Sequence, residues 1–195
     1  MSITRVPIFP TLVYDISFEY FVDDVLKIFE KVEWNKDNPK VSKNHNVLSK
    51  NKNLVKKIET VVNETLSEIG YNLPLKMTTS WFTRTKPNYA IEKHYHTNSF
   101  WSGVFYFQDN CSPLIFETKV PQINISSNPK SIDLVMQGSI GFSAKYGHML
   151  LFPSYIEHYT DLNNMSEDRY SLAMNFMPNG LASPSTSSDS SYYYT

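Results

Sequence analysis

The hydrophobic pattern of the chain changes its period once, near residue 70, and this change constrains the fold more than any other feature. Before it, apolar residues recur at helical spacing within residues 19–33 and 53–70. Gly70 ends the second run, where a helix C-terminal cap is expected. After it, segments within residues 74–178 alternate with a period of two, as strands do. We therefore expect an α+β chain, mainly β, with its N-terminal helices packed outside the β core.

The alternating half of the chain predicts about eight strands. They fall at residues 75–84, 91–96, 101–108, 114–118, 131–136, 149–152, 157–161 and 170–177. A further edge strand is expected at 6–15, an apolar stretch with two prolines. Residues 35–53 are polar and predict an irregular surface loop. We expect a single domain over residues 1–180 and then a flexible, low-complexity polar tail over 181–195, which ends in tyrosines.

Charge and composition narrow the functional class. Lys and Arg total 18 against 19 for Asp and Glu, and because no basic block stands out, nothing favours binding to nucleic acid. No apolar run approaches membrane-spanning length, and the start of the chain lacks the features of a signal peptide. The single cysteine, Cys111, excludes an internal disulfide and fits a reducing compartment. We expect a cytoplasmic protein with no membrane partner.

Two histidines one residue apart, His94 and His96, stand at the head of an apolar strand pattern. Alternate side chains of a strand share a face, so both imidazoles could reach one ion while Tyr95 points away. His158, which follows an apolar run broken by a Pro-Ser turn, is the best candidate for a third ligand. Arg169 heads the next strand, where a buried guanidinium would need an anionic partner such as a small-molecule carboxylate.

These residues alone leave other kinds of protein open. Three histidines and a bound water also describe a catalytic zinc site, although a zinc hydrolase has no need of a carboxylate anchor such as Arg169. Cupins share the H-x-H pair on a β-barrel, but where they have a glutamate this chain has Phe100 and Trp101. A third possibility is a non-catalytic structural barrel, for example a viral assembly or adhesion component.

The motif residues resemble those of the iron(II)- and 2-oxoglutarate-dependent oxygenases. That superfamily carries H-x-D/E, a distal His and a following Arg on a double-stranded β-helix, a jelly-roll, cupin-like core. The chain looks most like small stand-alone oxygenases of bacteria and their viruses, whose first motif reads H-x-H-x-x-S-x-x-S-G-x-x-Y. Residues 94–106 read HYHTNSFWSGVFY, and residues 8–11, 151–154 and 169–171 also resemble this subgroup. The resemblance covers roughly residues 81–177.

This resemblance implies a dioxygenase that hydroxylates a substrate while 2-oxoglutarate is decarboxylated to succinate. His94, His96 and His158 would hold Fe(II), and Arg169 with Ser171 would bind the distal carboxylate of 2-oxoglutarate. His96 stands where most of the superfamily has a carboxylate, so the ligand set would be neutral. In related halogenases that position is a small residue that leaves space for a halide, whereas His96 would fill the space.

Further contacts are implied less directly. Tyr106 matches a strand tyrosine that hydrogen-bonds the same carboxylate in related prolyl hydroxylases, and Asn88 could reach the co-substrate as asparagines do in some relatives. Glu92 and Asp161 lie near the histidines in sequence and could accept their free ring N–H groups. Solvent-exposed charges at strand ends are the alternative interpretation of these two acids.

Overall fold

The computed structural model of the chain covers both predicted helices and most of the predicted strands. The residues it describes are 10–71, 73–109, 112–118, 138–182 and 191–193. The strand predicted at 131–136, the first part of the strand predicted at 6–15, and Cys111 lie outside the described residues.

Two helices precede most of the strands, as the hydrophobic pattern predicts. α1 spans Val22–Phe29, directly after a 3-10 turn at Glu19–Phe21, and α2 spans Lys52–Ser67. Gly70 follows with a φ of 83°, a left-handed conformation that glycine adopts without steric cost. Both helices and the glycine cap are thus confirmed, although the helices are shorter than expected. Among the described residues, no helix is long and apolar enough to cross a membrane.

The strands form two antiparallel sheets and a short C-terminal hairpin. In chain order they are β1 Tyr14–Ser17, β2 Leu75–Thr85, β3 Trp101–Phe105, β4 Leu114–Glu117, β5 Ser139–Phe142, β6 His148–Pro153, β7 Glu157–Thr160, β8 Arg169–Pro178, β9 Gly180–Ala182 and β10 Ser191–Tyr193. The larger sheet has the order β1-β6-β3-β8-β2, and the smaller has the order β5-β4-β7. This is the predicted mainly β architecture, a double-stranded β-helix with helices outside it.

Alternate side chains of β3 point to opposite faces of the larger sheet and belong to two different apolar clusters. Trp101 and Phe105 are buried in a cluster with residues of both helices, whereas Val104 lies in a second cluster with residues of the smaller sheet. Burying each of these large side chains contributes about 1.5–3 kcal/mol. The helices therefore cover the outer face of the larger sheet, and the space between the two sheets remains available for a site.

α2 is fastened to the start of β2 by two of its polar side chains. The Asn63 amide accepts a hydrogen bond from the Leu75 N–H at 2.7 Å and donates one to the Leu75 carbonyl at 3.1 Å. Glu59 accepts from the Met77 N–H at 2.9 Å and pairs with Lys76 Nζ at 3.0 Å. β2 is an edge strand of the larger sheet, and these bonds satisfy backbone groups of Leu75 and Met77 on its open side. They also fix the position of the helix.

Two strand predictions require correction. β1 begins only at Tyr14, because the chain pairs with β6 from that residue onward. Residues 91–96 form no regular strand but a single bridge, between His94 and His158. One reason is that the Ile91 N–H bonds to the Thr160 hydroxyl, at 2.9 Å, instead of to a backbone carbonyl. β5 is additional to the predicted strands, and its Gly141 weakens the sequence signal for a strand.

Two segments expected to lack regular pairing form backbone pairs in the structure. The polar stretch at 35–53 lies alongside β2 in space. There Val41 bridges Thr83 and Asn46 bridges Ser80. We call residues 38–42 the strap, since their backbone lies against the edge of β2. Within the C-terminal tail, the backbones of β9 and β10 pair with each other as an antiparallel hairpin.

Candidate metal centre

Three histidines converge between the two sheets. His94, His96 and His158 each place one ring nitrogen within 4.8 Å of the others. Their ring centroids are separated by 4.4 to 5.2 Å. His158 is only 2% exposed and lies at the base of the group. Three imidazole nitrogens at this spacing can share one divalent ion.

The backbone fixes the positions of all three rings. His94 and His158 exchange two backbone hydrogen bonds, of 3.0 and 2.9 Å, and the His96 N–H donates to the Ser154 carbonyl at 3.0 Å. Tyr95, between the two ligand candidates, is 48% exposed and points away. The predicted alternation of side chains is therefore observed, even though the segment is not a regular strand.

Two of the rings are oriented by backbone carbonyls. Nδ1 of His94 lies 2.8 Å from the Glu92 carbonyl oxygen, and Nδ1 of His158 lies 2.9 Å from the Ile156 carbonyl oxygen. When each Nδ1–H donates to its carbonyl, Nε2 is left with a lone pair for a metal ion. The ring partners are thus carbonyl groups and not the carboxylates of Glu92 and Asp161 that the sequence suggested.

Burial keeps the two inner histidines uncharged at neutral pH. The pKa of His158 is lowered to about 3, mainly because burial disfavours the charged ring. The hydrogen bond to the Ile156 carbonyl opposes this shift, and the neighbouring His94 and His96 add to it. Desolvation also lowers the pKa of His96 to about 4, and His94 adds to this effect. Both rings are therefore in the neutral form that binds metal ions.

A cavity of about 340 Å³ connects the histidines with Arg169. Arg169 is only 1% exposed, and its Nε and Nη1 atoms have no hydrogen-bond partner among the described residues. Its guanidinium lies 5.7 Å from the centre of the Tyr106 ring. A buried cation without a paired anion is costly, so this arrangement indicates an anionic ligand that enters the cavity.

The other predicted co-substrate residues lie in different places. Ser171 lines the cavity beside Arg169, and its hydroxyl lies 2.7 Å from the Thr83 hydroxyl across the β2–β8 pair. Tyr106 is fully buried beneath the guanidinium. Asn88 occupies an exposed turn with a φ of 62°, outside the lining of the cavity. The structure therefore brings Ser171 and Tyr106 to Arg169 but not Asn88.

Several lining residues were missed from the sequence. Trp81 packs its ring edge against His96, with centroids 5.7 Å apart, and shares a face of β2 with Thr83. The period of two along β2 was the available signal for these residues. Lys40 reaches the cavity from the strap, and no sequence signal places the strap against β2.

The fold and site define a class: double-stranded β-helix proteins with three histidines that can hold a metal ion. Residues 79–175 match a protein family described as "Putative 2OG-Fe(II) oxygenase". The chain belongs to this family of 2-oxoglutarate- and iron-dependent oxygenases, which are oxidoreductases. The family assignment confirms the predicted enzyme class and its cofactors, Fe(II) and 2-oxoglutarate, over the zinc hydrolase and the structural barrel.

Solved structures share the fold at low sequence identity. An oxidoreductase of the 2OG-Fe(II) oxygenase family from Burkholderia pseudomallei has a TM-score of 0.61 at 8% identity, over 84% of this chain and 83% of that chain. HygX from Streptomyces hygroscopicus, solved with nickel, 2-oxoglutarate and hygromycin B, scores 0.56 at 12% identity, over 86% and 83%. A Pseudomonas putida prolyl-4-hydroxylase scores 0.54 at 11% identity, over 87% and 94%. No curated protein matches the sequence.

Proposed function

We propose that this oxygenase hydroxylates a C–H bond of a small organic substrate and couples that reaction to the decarboxylation of 2-oxoglutarate. The observation that carries the proposal is Arg169, a buried cation that shares a cavity with three converging histidines and has two donors that no described residue satisfies. A metal site alone would not require such a residue, whereas a dicarboxylate co-substrate does.

The donor set fits Fe(II). Imidazole is an ordinary ligand for iron, and three protein ligands leave coordination positions open for a co-substrate and O2. His94, His96 and His158 would hold the ion through nitrogens that burial and the carbonyl hydrogen bonds keep available. Because His94, His96 and His158 would all bind as neutral ligands, they would leave the positive charge of the ion undiminished, which would favour an anionic co-substrate more than a set with a carboxylate ligand would.

The opposite end of the cavity fits a carboxylate. Arg169 would hold the distal carboxylate of 2-oxoglutarate through its unsatisfied Nε and Nη1 donors. Ser171 supplies a hydroxyl on the same face of β8, already oriented by Thr83. Tyr106 supports the guanidinium from below through its ring.

The remaining lining residues serve the reaction by shaping the cavity and limiting water. When bound, Fe(II) and 2-oxoglutarate supply the oxidising chemistry that converts O2 and a substrate C–H bond into an alcohol, with succinate and CO2 as the other products. Val104, Leu114 and Ala173 line the cavity with apolar surface, which reduces access of water to the reacting atoms. Trp81 packs against His96 and limits rotation of that ring.

The mouth of the cavity offers the contacts for a substrate. Lys40 from the strap and Glu92 before the first ligand histidine both line the cavity and are exposed, so the cavity opens to solvent beside them. A cavity of about 340 Å³ is at the small end of the range for ligand sites, so a small molecule or a single side chain is the fitting substrate.

The proposal is tested by measuring the products of 2-oxoglutarate turnover. Fe(II)-loaded protein in air should convert 2-oxoglutarate into equal amounts of succinate and CO2, slowly without a substrate and faster when a screened compound is hydroxylated. A His158→Ala variant should form no succinate, and His45→Ala, which removes an exposed histidine outside the cavity, should match the wild type. Absence of succinate from the loaded wild-type protein under all conditions would contradict the proposal.

A further inference from the structure

The segment that carries the first two histidines is joined to the segment that carries the third by a series of hydrogen bonds. It begins at His96 and Ser154, continues through the His94 and His158 pair, and ends at one residue, Asn163. There the Asn163 N–H donates to the Tyr89 carbonyl and the Asn163 carbonyl accepts from the Asn88 N–H, each at 2.8 Å. We call residues 88–96 together with 154–163 the histidine ladder.

The side chain of Asn163 leaves the ladder and reaches the other half of the site. It is completely buried. Its Nδ2 donates to the Thr85 carbonyl at 3.0 Å and to the Glu167 carbonyl at 2.8 Å, and its Oδ1 accepts from the Met165 N–H at 3.2 Å. Every hydrogen-bonding group of this residue, in backbone and side chain, is therefore used.

The two carbonyls that Asn163 holds both belong to the surroundings of Arg169. Thr85 is the register partner of Arg169 in the β2–β8 pair, and Glu167 precedes Arg169 by two residues. Asn163 thus connects the histidine ladder with the strand pair that presents the guanidinium. Since the amide bonds to the buried Thr85 carbonyl and to the Glu167 carbonyl at once, removing it breaks the link between them and leaves the two segments free to separate.

We propose that Asn163 is a positioning residue that sets the separation between the metal centre and Arg169. This inference rests on the proposed function, in which one co-substrate contacts both ends of the cavity. 2-Oxoglutarate has a 2-oxo acid group that can chelate a metal ion and a second carboxylate two methylene groups further on. A ligand of that length binds well only if the distance from histidines to arginine is fixed in advance.

A purely structural role for Asn163 makes a different prediction, because it would not depend on the length of the ligand. Oxalate can chelate a metal ion but is too short to contact Arg169 at the same time. If Asn163 sets the separation, its loss weakens binding of 2-oxoglutarate and leaves oxalate binding intact. If Asn163 only holds the metal ligands in place, its loss weakens both.

The chain contains a matched control, Asn63. It too is an asparagine whose amide donates to two backbone carbonyls, those of Glu59 and Leu75, and accepts from a backbone N–H, that of Leu75. It joins α2 to β2, however, and lies outside the lining of the cavity. Asn63→Ala and Asn163→Ala should both lower the melting temperature, since each leaves buried strand or loop groups unsatisfied. Only Asn163→Ala should alter the selectivity between the two ligands.

The experiment is anaerobic calorimetric titration of Fe(II)-loaded wild type, Asn163→Ala and Asn63→Ala with 2-oxoglutarate and with oxalate. We expect Asn163→Ala to weaken 2-oxoglutarate binding by roughly tenfold or more, the effect typical of residues that orient ligand groups, with oxalate affinity unchanged. Asn63→Ala should bind both ligands as the wild type does. If Asn163→Ala does not fold, Asn163→Asp serves, since it retains the shape and the acceptor and loses both N–H donations.

Two outcomes overturn the inference, and one separates it from the proposed function. Unchanged 2-oxoglutarate binding in a folded Asn163 variant excludes the positioning role. Equal weakening of 2-oxoglutarate and oxalate assigns Asn163 to the metal ligands and contradicts control of the separation. If the wild type binds oxalate but not 2-oxoglutarate, the proposed function itself fails, and the inference fails with it.

Discussion

His94 and His158 exchange both of their backbone hydrogen bonds, at 3.0 and 2.9 Å, and their ring centroids lie 4.4 Å apart. The two residues are 64 positions apart in sequence, so the metal centre depends on a long-range antiparallel contact. Because the backbone pairing is reciprocal, it fixes the two rings next to each other, which is the preorganisation that a metal site requires.

Arg169 should be a destabilising residue in the ligand-free protein. Arg169→Met replaces a buried cation, two of whose donors have no partner among the described residues, with an apolar side chain of similar reach, so the free energy of unfolding should rise by about 1 kcal/mol or more. The same variant should bind 2-oxoglutarate about 30-fold or more weakly, because one partner of a buried charge pair is missing. Urea denaturation and ligand titration measure the two effects, and a variant that is less stable yet binds normally would contradict both.

His96 should be a metal ligand that a carboxylate can replace. His96→Gln should reduce Fe(II) affinity by more than about tenfold, since even residues that only support ligands have effects of that size. His96→Asp supplies an anionic oxygen ligand and should retain the metal. Competition titrations with a metal-binding dye measure the affinities, with His45→Gln as the control. Equal Fe(II) affinity of His96→Gln and wild type would exclude His96 from the metal site.

The stability of the metal-free protein should fall as the pH decreases below 6.5. In the unfolded chain His96 and His158 bind protons near their ordinary pKa, whereas burial first, and then the neighbouring histidines, lower the pKa in the folded protein to about 4 and about 3. Protons therefore bind preferentially to the unfolded state between pH 6.5 and about 4. The free energy of unfolding should drop by about 1.4 kcal/mol per pH unit for each histidine.

Denaturation curves at pH 7, 6 and 5 for wild type and His158→Gln test this dependence. The variant removes one of the two buried imidazoles, so its stability should decline less steeply with falling pH. Parallel pH dependence in the two proteins would show that His158 does not resist protonation in the folded state.

Asn63 should contribute substantially to the docking of α2. Asn63→Ala removes two hydrogen bonds to Leu75, one of which satisfies the N–H of a buried strand residue. We expect the free energy of unfolding to decrease by about 1–3 kcal/mol, the cost of buried polar groups left unsatisfied. Thermal denaturation measures the change. Substitution of exposed Asn53, on the same helix, should have almost no effect.

The sequence predicted most of the fold because hydrophobic period is a local property. The helices, β2, β3 and β8 all carry long or strongly alternating patterns, and all were found close to their expected positions. β5 was missed because four residues that include Gly141 carry too little pattern. The sequence predicts only a surface loop at the strap, because the strap pairs with β2 through backbone groups that are the same in every amino acid.

The candidate site was predictable only where residue chemistry is specific. Histidine and arginine in a characteristic order indicated the metal centre and the cationic end of the cavity, and the structure brings them together. Asn88 is expected at the site only by analogy with asparagines of some related enzymes, and the structure places it in an exposed turn outside the cavity lining. Asn163 carried no signal, because its role depends on which distant carbonyls fold around it.

The most direct test of the account is an anaerobic titration of Fe(II)-loaded protein with 2-oxoglutarate, followed by visible absorption. Chelation of the metal by the co-substrate produces a weak charge-transfer band. We predict that the wild type shows this band, that Arg169→Met requires a much higher concentration of 2-oxoglutarate, and that His158→Ala shows no band. A wild-type protein that shows no band at millimolar 2-oxoglutarate, yet binds zinc tightly, would contradict the assignment of the cavity to this co-substrate.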